Sequence, residues 1–68
     1  MSADSRILAL GDRFYAPEFD AYVTVMRVAR DQSWADTEVV TYSGRWTKRQ
    51  PLREGHLPYR IEYKGSVR

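Results

Sequence analysis

Apolar and polar positions alternate most regularly at residues 59–64, where Tyr59, Ile61 and Tyr63 fall on one side of an extended chain and Arg60, Glu62 and Lys64 on the other. Period two with one wet side predicts a strand that buries a single face. The longest β-rich run is residues 22–30, apolar on both alternations as far as Met26. That pattern fits a long strand bent around a barrel corner, so that first one side and then the other meets the core. Residues 37–43 follow after a polar turn holding Asp31 and Trp34, which predicts a hairpin with a loop of about six residues. Gly44 closes that strand, and residues 45–50 extend as a fourth, stopped at Pro51 because proline cannot donate into a ladder.

Upstream, Gly11-Asp12 reads as a turn and residues 13–16 as the first strand. A helical alternative covers residues 5–10, with Ser5 as N-cap, but six residues are too few to hold a helix without tertiary help. Five short strands between closely spaced turns, with no low-complexity segment and no repeat, predict an all-β chain: a small, five-stranded, partly open barrel with short loops. Phe14, Tyr22, Tyr42, Tyr59 and Tyr63 stand at strand positions where large rings would close its core. One domain over residues 1–68 is expected, with residues 1–6 flexible ahead of it.

The series Leu10-Gly11-Asp12-Arg13-Phe14-Tyr15, then Tyr22-Val23-Thr24-Val25-Met26-Arg27-Val28, then Val39-Val40-Thr41-Tyr42, resembles the SH3-like barrels of the KOW and Tudor kind. In those a hydrophobic-Gly-Asp turn enters the first strand and a Val-rich second strand leads into a third. The resemblance spans roughly residues 8–64 and implies a fold rather than an activity, because one barrel architecture hosts many unrelated functions. The short, Arg-rich chain is also similar in style to accessory proteins carried by actinobacterial phages.

Composition narrows the function classes. The chain has 68 residues and no cysteine, which removes disulfides, thiolate zinc sites and thiol nucleophiles together. No apolar run reaches the length of a membrane span and the N-terminus lacks a signal-peptide layout, so a cytoplasmic protein, in a host cytoplasm if phage-encoded, is expected. Net charge is +2, but unevenly spread. Residues 1–43 carry four Arg against seven acids, whereas residues 44–68 carry seven cations against Glu54 and Glu62. Such asymmetry marks an anion-facing surface when the fold gathers it in space, and disappears when the fold interleaves the two halves.

Enzymatic readings fail on inventory, and no small-molecule substrate, cofactor or metal is expected. His56 is the one histidine, and Glu54 with His56 would supply two ligands where a metal needs three or four; the plainer expectation is a solvated loop histidine. Glu18, Asp20, Asp31 and Asp36 read as ordinary turn acids, and the glycines stand alone rather than forming a phosphate loop.

Binding is the remaining class. Nine aromatics exceed what so short a chain comfortably buries, and a surplus patch usually serves a partner or self-association. Trp34 in its polar loop, Phe19 and Tyr15 are the candidate partner-binding residues, tryptophan being over-represented at interface hot spots. The alternative is nucleic acid, DNA or RNA, held by Arg45, Lys48, Arg49 and Arg53 with Arg60 and Lys64, and with Trp46 stacking on a base. In an alternating strand Trp46, Lys48 and Gln50 share one face, so Trp46 is either a core residue or an exposed platform.

Overall fold

The computed structural model describes residues 8–66. The expected flexibility of residues 1–6 and most of the helical alternative at 5–10 lie outside that span; Leu8, Ala9 and Leu10 are not helical. Five strands run β1 (Asp12–Ala16), β2 (Ala21–Val28), β3 (Trp34–Thr41), β4 (Gly44–Pro51) and β5 (Glu62–Ser66). All pair antiparallel in one sheet of order β4-β3-β2-β1-β5. The chain is thus all-β, with no helix among the described residues, and the sheet curls without closing: β4 and β5 are its two edges.

Local chemistry sets each turn. Entering β1, Gly11 takes φ +90° and its N–H donates to the Val25 carbonyl at 2.8 Å, while the Asp12 carboxylate accepts the Ala9 N–H at 3.1 Å. The β1–β2 turn places Pro17 where its fixed φ suits a tight turn, with Phe19 N–H donating to the Ala16 carbonyl at 3.1 Å. Asp20 then adopts φ +51° and its carboxylate accepts the Tyr15 hydroxyl at 2.6 Å. Between β2 and β3 the Asp31 carboxylate accepts both the N–H and the hydroxyl of Ser33, an Asx turn that holds the Asp31 carboxyl below its ordinary value.

The bend expected in the second strand is a bulge. Val25 faces Thr37 and Arg27 faces Asp36, so Met26 is an extra residue without a cross-strand partner. Because of it Val23, Val25 and Val28 all turn inward. A second irregularity separates the Asp12–Ser66 and Phe14–Tyr63 pairs, next to Gly65 at φ +108°.

The core consists of Leu8, Phe14, Val23, Val25, Ala35, Leu57 and Ile61, with Val28, Leu52, Tyr59 and Tyr63 packed against it. Phe14 and Tyr63 meet edge to face, centroids 5.7 Å apart. Tyr59 and Tyr63 therefore join the core as expected, but two of the five expected rings do not. Tyr22 points outward, where it stacks on Tyr15 at 5.0 Å, and Tyr42 occupies the two-residue β3–β4 turn, 98% exposed. Strand 3 starts and ends earlier than the pattern predicts, so the turn falls where a strand position was expected.

A line of side-chain hydrogen bonds ties β3 and β4 to the segment that leads into β5. Tyr59 donates its hydroxyl to Gln50 Oε1 at 2.6 Å, Gln50 Nε2 donates to Thr37 Oγ1 at 2.9 Å, and Thr37 Oγ1 donates to the Lys48 carbonyl at 2.9 Å. Thr37 and Gln50 are buried. Among the described residues no buried side-chain polar atom lacks a partner, so this polar line carries no unsatisfied group that would cost stability.

Candidate functional site

Alternation along β4 divides its residues between two faces of the sheet. Trp46, Lys48 and Gln50 face the concave side, where with Phe19 and Tyr59 they line a groove of about 300 Å³ whose floor is Ala16, Ala21, Val23 and Val39. Phe19 reaches it from the β1–β2 turn, and its ring meets Tyr59 edge to face, centroids 5.1 Å apart. Phe19 is 58% and Trp46 47% exposed. Two aromatic walls from distant parts of the chain thus stand over an apolar floor, with Lys48 the one charged residue in the lining. Burial raises the Tyr59 hydroxyl above its ordinary 10.0, so it stays a neutral hydrogen-bond donor to Gln50 through the physiological range.

Arg45, Thr47 and Arg49 face the convex side. There Arg49 donates from Nε and Nη2 to the two carboxylate oxygens of Asp36, at 2.7 and 3.2 Å. Its guanidinium lies 3.7 Å from the centroid of the Trp34 ring, with Arg27 a further 5.7 Å contact. The Arg49 guanidinium holds the Asp36 carboxyl below its ordinary 3.8, and Asp36 in turn raises Arg49. Arg45 reaches Glu38 at 3.6 Å.

The expected partner-binding residues are therefore not one surface. Phe19 lines the groove, whereas Trp34 and Tyr15 belong to the opposite face. Trp34 is also not a loop-tip residue: it is the first residue of β3, half-buried and packed under two guanidinium groups of its own sheet. Trp46 is the exposed platform of the two readings, although it shares its wall with core-lining neighbours.

The expected nucleic-acid residues are also divided. Lys48 and Trp46 are concave; Arg45 and Arg49 are convex and paired with acids of β3. Arg60 and Lys64 flank Glu62 at 3.8 and 3.7 Å. Arg53 sits in a tight turn closed by reciprocal Arg53–His56 backbone bonds. That turn takes φ +53° at Glu54 and +83° at Gly55, which suits Gly and replaces the extended geometry that would have put Glu54 and His56 on one face. The fold has interleaved the acidic and basic halves: β3 supplies the acids and β4 the cations that meet them.

No signal in the sequence marked Tyr59 as a groove residue; alternation put Gln50 on the face of Trp46 and Lys48, but its burial and its bond to Tyr59 depend on a partner elsewhere in the chain. No family model matches the chain, and no curated protein or solved structure matches it significantly. Among the described residues no group of three or more His, Cys, Asp or Glu is placed to hold a metal ion, and no helix is long and apolar enough to cross a membrane.

Proposed function

We propose that this chain is a small, non-enzymatic binding module on an SH3-like, partly open barrel, and that it engages a protein partner, or a second copy of itself, through the concave groove of Phe19, Trp46 and Tyr59. One observation carries this reading: rings from separate segments converge on an apolar floor, with Tyr59 half-buried and Phe19 and Trp46 left 58% and 47% exposed. Folding alone gives Phe19 and Trp46 little burial, whereas a side chain inserted between them would desolvate both walls at once, the arrangement typical of interface anchors.

Nucleic acid is the weaker alternative. Its cations are split between two faces, and Asp36 and Glu38 would meet an approaching phosphate backbone beside Arg49 and Arg45.

The test combines analytical ultracentrifugation with affinity capture, comparing the parent chain, Trp46→Ala, and Tyr42→Ala as an exposed aromatic outside the groove. Dimerisation or a captured protein that survives Tyr42→Ala and disappears with Trp46→Ala is the expected result. A strict monomer that captures nothing, or capture indifferent to Trp46, overturns the reading.

A further inference from the structure

The groove does not stand alone; it borders a sheet edge. The two-residue turn makes Thr41 and Gly44 a hydrogen-bonded pair, and Leu52 N–H donates to the Ser33 carbonyl at 2.9 Å at the far end of the same ladder. Antiparallel pairing alternates, so both ends fix one phase. Gly44, Trp46, Lys48 and Gln50 spend their backbone groups on β3, and those of Arg45, Thr47 and Arg49 point away from it. Among the described residues β4 has no strand neighbour on that side. Those backbone groups are thus directed at the seam that the groove opens into.

The chemistry of that edge is one-sided. β4 reads Gly-Arg-Trp-Thr-Lys-Arg-Gln-Pro, with three cations and no acid. Lys48 is the sole charge in the groove lining, and no carboxylate there could receive a cationic ligand. Arg45 and Arg49 pair with acids but remain more than half exposed, at 71% and 57% of their side chains, with donors left over for a second acceptor. By themselves such cations protect an edge from pairing with neutral strands. They do the opposite for a strand that carries carboxylates.

Resting on the groove reading above, we infer that the occupant is an extended acidic peptide segment of a partner protein, added to β4 as a sixth strand. Its inward side chains alternate between an apolar anchor seated between Trp46 and Phe19 and an Asp or Glu at Lys48. Its outward carboxylates lie beside Arg45 and Arg49. Main-chain bonds to the edge supply affinity and the anchor supplies selectivity. An acidic strand also explains why the walls are aromatic but the single charge among them is a cation: charge complementarity speeds encounter and rejects basic segments.

The test is selection of a displayed random-peptide library on the immobilised full chain, in parallel on Trp46→Ala and Lys48→Glu. Both changes are at exposed positions, and circular dichroism checks that both variants keep the fold. Enrichment of peptides in which Asp or Glu alternates with a single large apolar residue is expected, lost on Trp46→Ala. On Lys48→Glu the selected peptides should exchange one acid for Lys or Arg. N-methylating the edge-facing amides of a selected peptide should weaken it about tenfold, as expected for losing one or two ladder bonds, while methylating the alternate amides should not. Enrichment of basic or acid-free peptides that still depends on Trp46 overturns the acidic-strand inference and leaves the groove reading standing. No enrichment above Trp46→Ala overturns both. A labelled single-stranded oligonucleotide that binds more tightly than every selected peptide also overturns both.

Discussion

Tyr59 and Gln50 are joined by a 2.6 Å hydrogen bond across the one place where the sheet fails to close. Tyr59 precedes β5 and Gln50 lies in β4, so this bond ties one edge of the sheet to the segment that leads into the other edge, with which it shares no ladder. Gln50 is only 5% exposed, and water cannot replace a lost partner cheaply. Tyr59→Phe should therefore cost about 1–3 kcal/mol, the penalty of stranding a buried acceptor, read from the midpoint of urea denaturation. Combining it with Gln50→Met should cost less than the two single changes added together, because the second change removes the stranded acceptor.

Alkaline pH probes the burial of the same hydroxyl. Burial raises the Tyr59 pKa above 10.0, so the folded state holds that proton more tightly than the unfolded chain. The associated stability is fully present below about pH 10 and is lost as pH rises through the folded value. Thermal midpoints measured from pH 8 to 11 should fall only in the upper part of that range, and Tyr59→Phe should flatten the fall. Tyr15 shifts in the same direction through its bond to Asp20, but that bond lies at the exposed surface, so Tyr15→Phe should leave the profile close to that of the parent.

Core and groove should separate cleanly under mutation. Phe14 is fully buried against Tyr63, and Phe14→Ala costs about 3–5 kcal/mol at such a site. A single core of this size supplies only about 3–5 kcal/mol in all, so the variant should be unfolded by circular dichroism at 25 °C. Ile61→Ala, at about 2–5 kcal/mol, should leave it marginal. Trp46→Ala and Tyr42→Ala should remain folded, with cooperative denaturation.

The convex face gives an acid-side prediction. Asp36 is held below 3.8 by Arg49, so what the pair contributes is present above that pH and disappears as pH falls through the lowered folded value. Carboxyl titration by NMR should place the Asp36 midpoint below 3.8. Arg49→Leu should return Asp36 towards its ordinary value and change the emission of Trp34, whose ring loses the guanidinium at 3.7 Å. Because both partners are solvent-accessible, the change in global stability should be small.

Strand number, strand type and the partly open sheet were legible because they depend on alternation and turn residues, which are local. Tyr59, Ile61 and Tyr63 show this: their shared side faces the core, although the ladder itself begins only at Glu62. Phase was harder. Val39-Val40 is apolar on both faces, so nothing local decides whether the strand spans Trp34–Thr41 or residues 37–43, and its earlier end moved Tyr42 from a core position to the turn. Trp34 read as a loop residue because Asp31, Gln32 and Ser33 precede it; its true neighbours, Arg27 and Arg49, come from other strands. The groove was legible only in pieces. Phe19 and Trp46 each stood out as surplus aromatics, but their meeting over Val23 and Val39 depends on which turn folds over which sheet face, and the burial of Thr37 and Gln50 depends on their bonding to each other.

Met26 is the one residue of β2 that no ladder needs. Removing it would join Val25 directly to Arg27, and every remaining pair, Val25 with Thr37, Arg27 with Asp36 and Val28 with Ala35, would keep its partner and its face. Removing a neighbour such as Thr24 would instead turn half the strand inside out. The spare residue stores curvature: a bulge bends its strand and sharpens the local twist. Loop length and strand length at this point are therefore not interchangeable, and a chain one residue shorter at position 26 would have the same wiring in a flatter sheet, with a wider mouth.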